Sequence, residues 1–159
     1  MELLSVDPVM EGDGREWRTH AKLVAGKAGS TWAPGVRLGL YSAGTHAVVP
    51  IPRCSVHHPS INAAVRAIQE ATEEAGVVAY DEVRGEGMLR YCQLSVERSS
   101  GKVQATLVWN TDTLTESSPH SQRLLRQLQA QSPELFHSVW FNWNTGRGNT
   151  IVARDLRKW

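Results

Sequence analysis

The sequence has little of several features on which large protein classes depend. Two cysteines among 159 residues cannot build a disulfide framework, and a reduced, intracellular setting fits better than a secreted one. No apolar run approaches the roughly 18 residues of a membrane-spanning helix, so we expect no membrane contact. The net charge of +1 excludes a strongly basic arm that coats nucleic acid by charge alone. No signal or transit peptide is recognisable, and the expected location is intracellular, a chloroplast or mitochondrion included.

What is present indicates one globular domain. A chain of 159 residues with 41% hydrophobic residues can bury a core of its own without covalent staples. Residues 1–16 show no hydrophobic period and are predicted to be a flexible tail or linker. The domain is predicted to extend over residues 17–154, and residues 155–159 form a basic segment behind it.

Alternation of apolar and polar residues predicts short strands joined by hairpin turns. The predicted strands are 18–25, 36–41, 46–51, 88–97, 103–109, 136–142 and 150–153. Apolar positions three and four apart predict two helices, which begin at Pro59 and Pro119. We therefore predict an α+β fold, with a mainly antiparallel sheet built from hairpins and two helices packed on one face.

An ordered series of short motifs identifies a family resemblance. The series comprises Trp17-Arg18 with Lys22, Gly39-Leu40-Tyr41, Gly44-Thr45-His46, Ile51-Pro52-x-Cys54, His57-His58-Pro59-Ser60-Ile61-Asn62, Gly87-Met88-Leu89-Arg90, Leu107-Val108-Trp109-Asn110 and Asn142-x-Asn144. Together these motifs resemble the central domain of the S-adenosylmethionine-dependent RNA uracil-5-methyltransferases, which make 5-methyluridine in transfer and ribosomal RNA. Two of the phrases, Trp-Arg-Thr-His-Ala-Lys and His-His-Pro-Ser-Ile-Asn, look most like the plant and algal branch.

The resemblance implies RNA recognition without chemistry. Family members carry S-adenosylmethionine, a cysteine nucleophile and a carboxylate base in a doubly wound C-terminal domain. A cofactor turn would lie between an apolar strand and an amphipathic helix, which is true of none of the glycine pairs Gly12-x-Gly14, Gly85-x-Gly87 and Gly146-x-Gly148. We therefore predict no catalytic residue and no cofactor in this chain, and S-adenosylmethionine for a full-length member. Residues 155–159 would be a basic linker toward a missing catalytic domain, and RNA contact is the alternative for the basic run Arg154, Arg157 and Lys158.

Basic and polar side chains supply the candidate RNA contacts. Arg18, His20 and Lys22 share one face of the first predicted strand, because alternate residues of a strand point to the same side. His46 follows the hairpin turn, where the resemblance suggests a polar or RNA-contacting role. The alternative for the first three residues is a solvated sheet face without a ligand.

The remaining candidates each have a structural alternative. Arg90 is predicted to point inward, where it needs a carboxylate such as Asp81 or Glu82, or an RNA phosphate. Asn142 and Asn144 share a face at a strand end and can read base edges or cap a turn. Stacking platforms for unpaired bases and core packing are the two interpretations of Trp140, Trp143 and Trp159.

Cys54 is the main candidate metal ligand. It aligns with a cysteine that binds an iron–sulfur cluster in some members of the family, but a cluster needs about four thiolates and no other cysteine precedes it here. A zinc site on Cys54, His57 and His58 would need a fourth ligand. A structural thiol is therefore the main expectation for Cys54, and Cys92 is predicted to lie in the core.

The leading hypothesis is the RNA-substrate-recognition domain of an RNA (uracil-5-)-methyltransferase-like protein that lacks its catalytic domain in this chain. Its partners would be transfer or ribosomal RNA, with a catalytic methyltransferase domain or a ribosomal assembly beside it. The alternative is a non-catalytic structural or ribosome-associated protein derived from the same family. A metal enzyme built on Cys54 is a third, more distant hypothesis.

Overall fold

The computed structural model describes residues 12–29, 34–111, 118–146 and 156–158. Its strands are β1 (His20–Lys27), β2 (Val36–Tyr41), β3 (Val48–Pro50), β4 (Leu89–Val96), β5 (Val103–Trp109), β6 (Phe136–Trp143) and β7 (Leu156–Lys158). Its helices are α1 (Pro59–Glu74) and α2 (Pro119–Gln131). The described strands form one sheet in the order β3-β2-β1-β4-β5-β6-β7.

Neighbouring strands of this sheet are antiparallel, with the exception of β5 and β6. Those two strands are parallel and are joined through α2, which is the crossover that a parallel pair requires. The predicted α+β fold, mainly antiparallel with two helices, is therefore confirmed.

The alternation seen in the sequence divides the sheet into two faces. In β4, Cys92 and Leu94 are fully buried in the core, whereas Gln93 and Ser95 are half-buried. The register continues this division, since Cys92 pairs with Leu107 of β5. The apolar side, which joins the buried residues of α1 and α2 in one core, is the helix-covered face. The other side is called the open face. Its described residues on β1 and β4–β7 are His20, Lys22, Val24, Tyr91, Gln93, Ser95, Gln104, Thr106, Val108, Ser138, Trp140, Asn142, Leu156 and Lys158. Of these, Val24, Thr106, Val108, Ser138 and Asn142 are buried.

Both helices begin where the sequence predicts. The ring of His58 accepts a hydrogen bond from the Ser60 N–H at 3.2 Å and caps α1, whose first residue is Pro59. Gly76 follows Ala75, the C-cap of α1, and has a φ of +71°, a conformation that glycine adopts without strain. This residue therefore ends the helix. In α2, Leu124 and Leu128 are buried against the core. Neither helix of the described ranges is long and apolar enough to cross a membrane.

The two ends of the domain differ in detail from the sequence reading. Strand β1 begins at His20, two residues later than predicted, and Arg18 instead forms a parallel bridge with His57. Residues 156–158, which the sequence assigned to the basic linker, pair with β6 as β7. Residues 1–11, the predicted strand 150–153 and Trp159 lie outside the described residues.

Candidate nucleic-acid interface

Polar side chains form two rows across the open face. The strand register aligns Lys22 with Gln93, Thr106, Trp140 and Lys158 in one row, and His20 with Ser95, Gln104 and Ser138 in the next. His20, Lys22 and Lys158 are exposed and Trp140 is half-buried. No acidic side chain belongs to either row among the described strand residues. This part of the surface therefore presents cations, hydrogen-bond donors and one indole ring.

The length of the first row suits an extended polyanion. Lys22 on β1 and Lys158 on β7 are separated by four strand spacings of about 4.8 Å, or roughly 19 Å along the sheet. Stacked nucleotides advance about 3.4 Å each, so about five of them would match this distance. Two predicted contacts, His20 and Lys22, thus lie on the same face as Lys158, for which the sequence left a linker role and RNA contact open.

Arg18 lies just before β1, beside the loop that leads into α1. Its guanidinium carbon lies 5.1 Å from the ring centroid of Trp17, and both residues are exposed. Burial, together with the nearby charge of Arg18, lowers the pKa of His57 below its ordinary value. Arg18 therefore extends the cationic surface past the start of β1.

Arg90 is buried at a bulge in β4. The register shifts between Leu89 and Tyr91, which places Leu89 opposite Trp109 in the core and makes Arg90 the extra residue. The Arg90 side chain is 2% exposed. Its guanidinium therefore has to find partners within the protein.

Those partners tie two loops to the sheet. One terminal nitrogen, Nη1, donates to the carbonyl oxygens of Asn144 at 2.9 Å and Gly146 at 2.7 Å. The other, Nη2, lies 3.5 Å from Glu82 Oε1, and the guanidinium stacks 4.5 Å above the Tyr80 ring. Between the two carboxylates considered from the sequence, the structure pairs Arg90 with Glu82. Contact between Arg90 and RNA stays a prediction.

The two candidate asparagines lie at the end of β6. Asn142 is fully buried on the open-face side, and Asn144 is 7% exposed. Asn144 Oδ1 accepts a hydrogen bond from the Gly146 N–H at 2.9 Å, which is the turn-capping geometry. Trp143 stacks on Phe141 at 5.4 Å within the core, whereas Trp140 lies at the open face. The structure therefore assigns these two tryptophans to opposite environments.

A polar cluster links His46 to the Arg90 contact. The Tyr41 ring lies edge-on to His46, with 5.5 Å between the ring centroids. Burial, and a hydrogen bond with Tyr91, raise the pKa of Tyr41 above its ordinary value. Tyr91 in turn donates to Glu82 Oε1 at 3.4 Å. The open side of this cluster borders a cavity of about 440 Å³ between β1, the β2–β3 hairpin and residues 80–84.

An ion pair closes one side of that cavity. Lys27 Nζ lies 2.6 Å from Asp81 Oδ2. The hydrogen bond from Lys27, with further bonds from the N–H groups of Arg84 and Val83, lowers the pKa of Asp81 to about 2. The carboxylate therefore stays charged and holds the loop in place at any ordinary pH.

Cys54 is held by its backbone rather than by its thiol. The Asn62 side chain accepts from the Cys54 N–H and donates to the Cys54 carbonyl, both at 3.0 Å. No group of three or more His, Cys, Asp or Glu side chains within the described ranges is placed to hold a metal ion. Metal binding by Cys54 stays a prediction. Cys92 is fully buried, and burial raises the pKa of its thiol to about 12.

The glycine pair Gly85-x-Gly87 does not form a turn that would hold S-adenosylmethionine. Gly85 and Gly87 lie in the short loop that pairs Asp81 with Glu86, not between a strand and a helix. At Gly87, where φ is +107°, an added Cβ would overlap the Ala79 carbonyl. This glycine is therefore required for two backbone segments to cross, and no step of a methyl transfer can be assigned to the described residues.

Sequence reasoning missed several residues of this surface. Tyr91, Gln93 and Ser95 alternate with buried neighbours in β4, and this alternation could have placed them beside Lys22. The contact of Tyr41 with Tyr91 joins two segments fifty residues apart in the chain, and no local pattern indicates it.

Comparison with known proteins relates the sequence to proteins named RNA methyltransferases. No family model matches the sequence. The chain is 40% identical over 159 residues to a protein named uncharacterized RNA methyltransferase from Protochlamydia amoebophila, covering 97% of this chain and 40% of the relative. It is 30% identical over 138 residues to another of that description from Geobacter sulfurreducens, covering 87% of this chain and 26% of the relative. The chain thus spans less than half the length of the curated relatives it matches.

A solved structure shares the fold. The Pyrococcus abyssi tRNA (uracil-54, C5)-methyltransferase, determined with S-adenosyl-L-homocysteine, superposes with a TM-score of 0.67 at 19% identity. The match covers 92% of this chain and 31% of that one. The sequence of this chain is therefore RNA methyltransferase-like. Its fold matches part of the Pyrococcus abyssi tRNA (uracil-54, C5)-methyltransferase.

Proposed function

We propose that this chain is the RNA-substrate-recognition part of an RNA (uracil-5-)-methyltransferase-like protein, and that it binds RNA across the open face. The observation that carries the proposal is the row from Lys22 to Lys158, which has exposed cations at both ends and no acidic side chain among its described residues. Transfer or ribosomal RNA is the proposed substrate. The plant and algal branch remains the proposed origin of the sequence pattern.

The chemistry of the open face supports RNA more than it supports a protein partner. Cations such as Lys22 neutralise phosphates, while side chains such as Gln93 and Gln104 offer hydrogen bonds to phosphate, sugar or base edges. Trp140, half-buried beside them, has a ring on which an unpaired base can stack. Most protein partners would need an apolar patch at the centre of an interface, and the two rows described above have none. In the neighbouring row of the same face Val24 and Val108 are buried, and Leu156 is its exposed aliphatic residue.

We also propose a division of labour. The chain covers 40% of the length of the Protochlamydia amoebophila relative, which is consistent with S-adenosylmethionine being bound by a catalytic methyltransferase domain outside this chain. This chain would orient the RNA beside that domain. If the chain were instead a structural piece of a ribosomal assembly, the open face would be covered by protein and would bind RNA weakly or not at all.

The test is the salt dependence of RNA binding by the 159-residue chain. Two to four phosphate contacts should make log K fall with log salt at a slope of roughly −1.4 to −3.6. A double variant, Lys22→Ala with Lys158→Ala, should reduce that slope by roughly 1.4 to 1.8.

A matched control keeps the charge change and moves it to the other side of the sheet. Arg123 and Arg126 are exposed on α2, so Arg123→Ala with Arg126→Ala removes two positive charges from the helix layer. The control should retain the wild-type slope. Undetectable binding, or equal losses in both double variants, would count against RNA binding at the open face.

A further inference from the structure

A pocket lies at the end of the open face, where β1 runs on to Lys27. Strand β3 forms one wall because Val48 packs on Gly26, where an added Cβ would lie 2.6 Å from the Val48 Cβ. Residues 80–84 form the opposite wall, which the ion pair of Lys27 with Asp81 fixes in place. The volume of about 440 Å³ falls within the range of roughly 300–1,000 Å³ that is usual for small-ligand sites.

The walls suit a neutral planar group with a hydrogen-bonding edge. Tyr41 and His46 line the pocket with aromatic rings, and His46 is exposed at its mouth. Glu82 also lines it and already accepts from Tyr91, but a carboxylate has lone pairs for further donors. The two cations of the lining, Lys27 and Arg84, stand against two carboxylates, Asp81 and Glu82, and Lys27 is paired with Asp81. The lining therefore has no excess of positive charge for a phosphate, and it favours a neutral base.

We infer that this pocket receives one unpaired base of an RNA that lies across the open face. The inference rests on the proposed function and deepens it, because it names an RNA with unpaired nucleotides as the substrate class. Lys22 and Val24 are successive residues of the same face of β1, and Val24 lines the pocket, so the cationic row leads directly to its mouth. Stacking on an aromatic ring tolerates any base, so the pocket selects for an unpaired nucleotide and not for one base.

The experiment compares two RNA probes of equal length at one salt concentration: a hairpin with an unpaired loop of about seven nucleotides, and a fully paired duplex. The wild-type chain should bind the hairpin at least about fivefold more tightly, which is the lower end of what one stacked base contributes. Ala47 is exposed and lines the pocket, so Ala47→Trp fills it without entering the core. This variant should reduce the preference for the hairpin by at least about fivefold while it still binds the duplex, because a base stacked on Trp140 lies outside the pocket and is unaffected.

The control places a tryptophan on the same β2–β3 hairpin of the protein but outside the pocket. Ala43 is exposed in the β2–β3 turn and does not line the cavity, so Ala43→Trp should keep the fivefold preference. A thermal melt checks that both variants fold. If Ala47→Trp does not fold, His46→Ala replaces it, because His46 lines the pocket at an exposed position, and this variant should also reduce the preference for the RNA hairpin.

The outcomes separate the inference from the proposed function. If the wild-type chain binds neither probe, both are overturned. If it binds both probes equally, or if Ala47→Trp keeps the preference, the pocket inference alone is overturned and RNA binding at the open face stands.

Discussion

The two faces of this sheet are made from the same strands, but their residues serve different purposes. On the helix-covered face, residues such as Leu94 are fully buried and contribute through packing against α1 and α2. On the open face, neighbours such as Gln93 and Lys22 contact water, and their value lies in the ligand they can bind. Because successive residues of a strand point to opposite faces, one residue of β4 stabilises the core while the next is available to contact a ligand.

The largest expected effect is a stability difference between two adjacent residues of β4. Leu94→Ala should lower the free energy of unfolding by about 2–5 kcal/mol, because it leaves a cavity in the core. Gln93→Ala, on the open face, should change it by less than about 0.5 kcal/mol. Urea denaturation measures both, and similar losses would contradict the division into two faces.

The next comparison is between two cations near the pocket. Arg90→Met should cost about 2–3 kcal/mol, because it leaves Glu82 and two backbone carbonyls without their buried donor. Lys27→Met removes a more exposed partner of Asp81 and should cost less than about 1 kcal/mol. Equal losses in chemical denaturation would show that Arg90 does not hold its two loops together.

A third comparison uses two half-buried aromatic residues of β6 that differ in their surroundings. Trp140→Leu should weaken RNA binding by about 1–3 kcal/mol if a base stacks on its ring. Phe136 packs against the core under the helices, and Phe136→Leu should leave RNA affinity unchanged. Fluorescence anisotropy with a labelled RNA hairpin measures the affinity of both variants. A larger loss in Phe136→Leu than in Trp140→Leu would contradict an RNA interface on the open face.

The smallest expected effect is a pH dependence. Because the pKa of Asp81 is lowered to about 2 in the folded protein, its ion pair stabilises the fold above about pH 4. That contribution should be lost as the pH falls from about 4 to about 2, so wild type and Asp81→Asn should converge over this window. Glu134, fully exposed beside Lys102, is the control, and Glu134→Gln should show a smaller difference throughout. A constant gap between wild type and Asp81→Asn would contradict the role of the pair.

Local patterns were sufficient for much of the fold but not for the pocket. Strand β5 was predicted with the bounds that the structure has, because the apolar residues Val103, Ala105, Leu107 and Trp109 fall at alternate positions between two clear breaks. The bulge at Arg90 was not predicted, since one extra residue changes the pairing with β5 and leaves no mark in the composition. The two hydrogen bonds between the Asn62 side chain and the Cys54 backbone depend on tertiary geometry, which periodicity does not report. The contact of Arg90 with Glu82 was one of the two pairings expected from the sequence.

The most direct test of the central claim is an NMR titration of the 159-residue chain with an RNA hairpin. We expect the largest amide shift changes in β1, β4, β5 and β6 at residues of the open face, such as Lys22, Gln93 and Trp140. Shift changes confined to α1 and α2, or none at RNA concentrations that saturate binding, would contradict the claim that the open face recognises RNA.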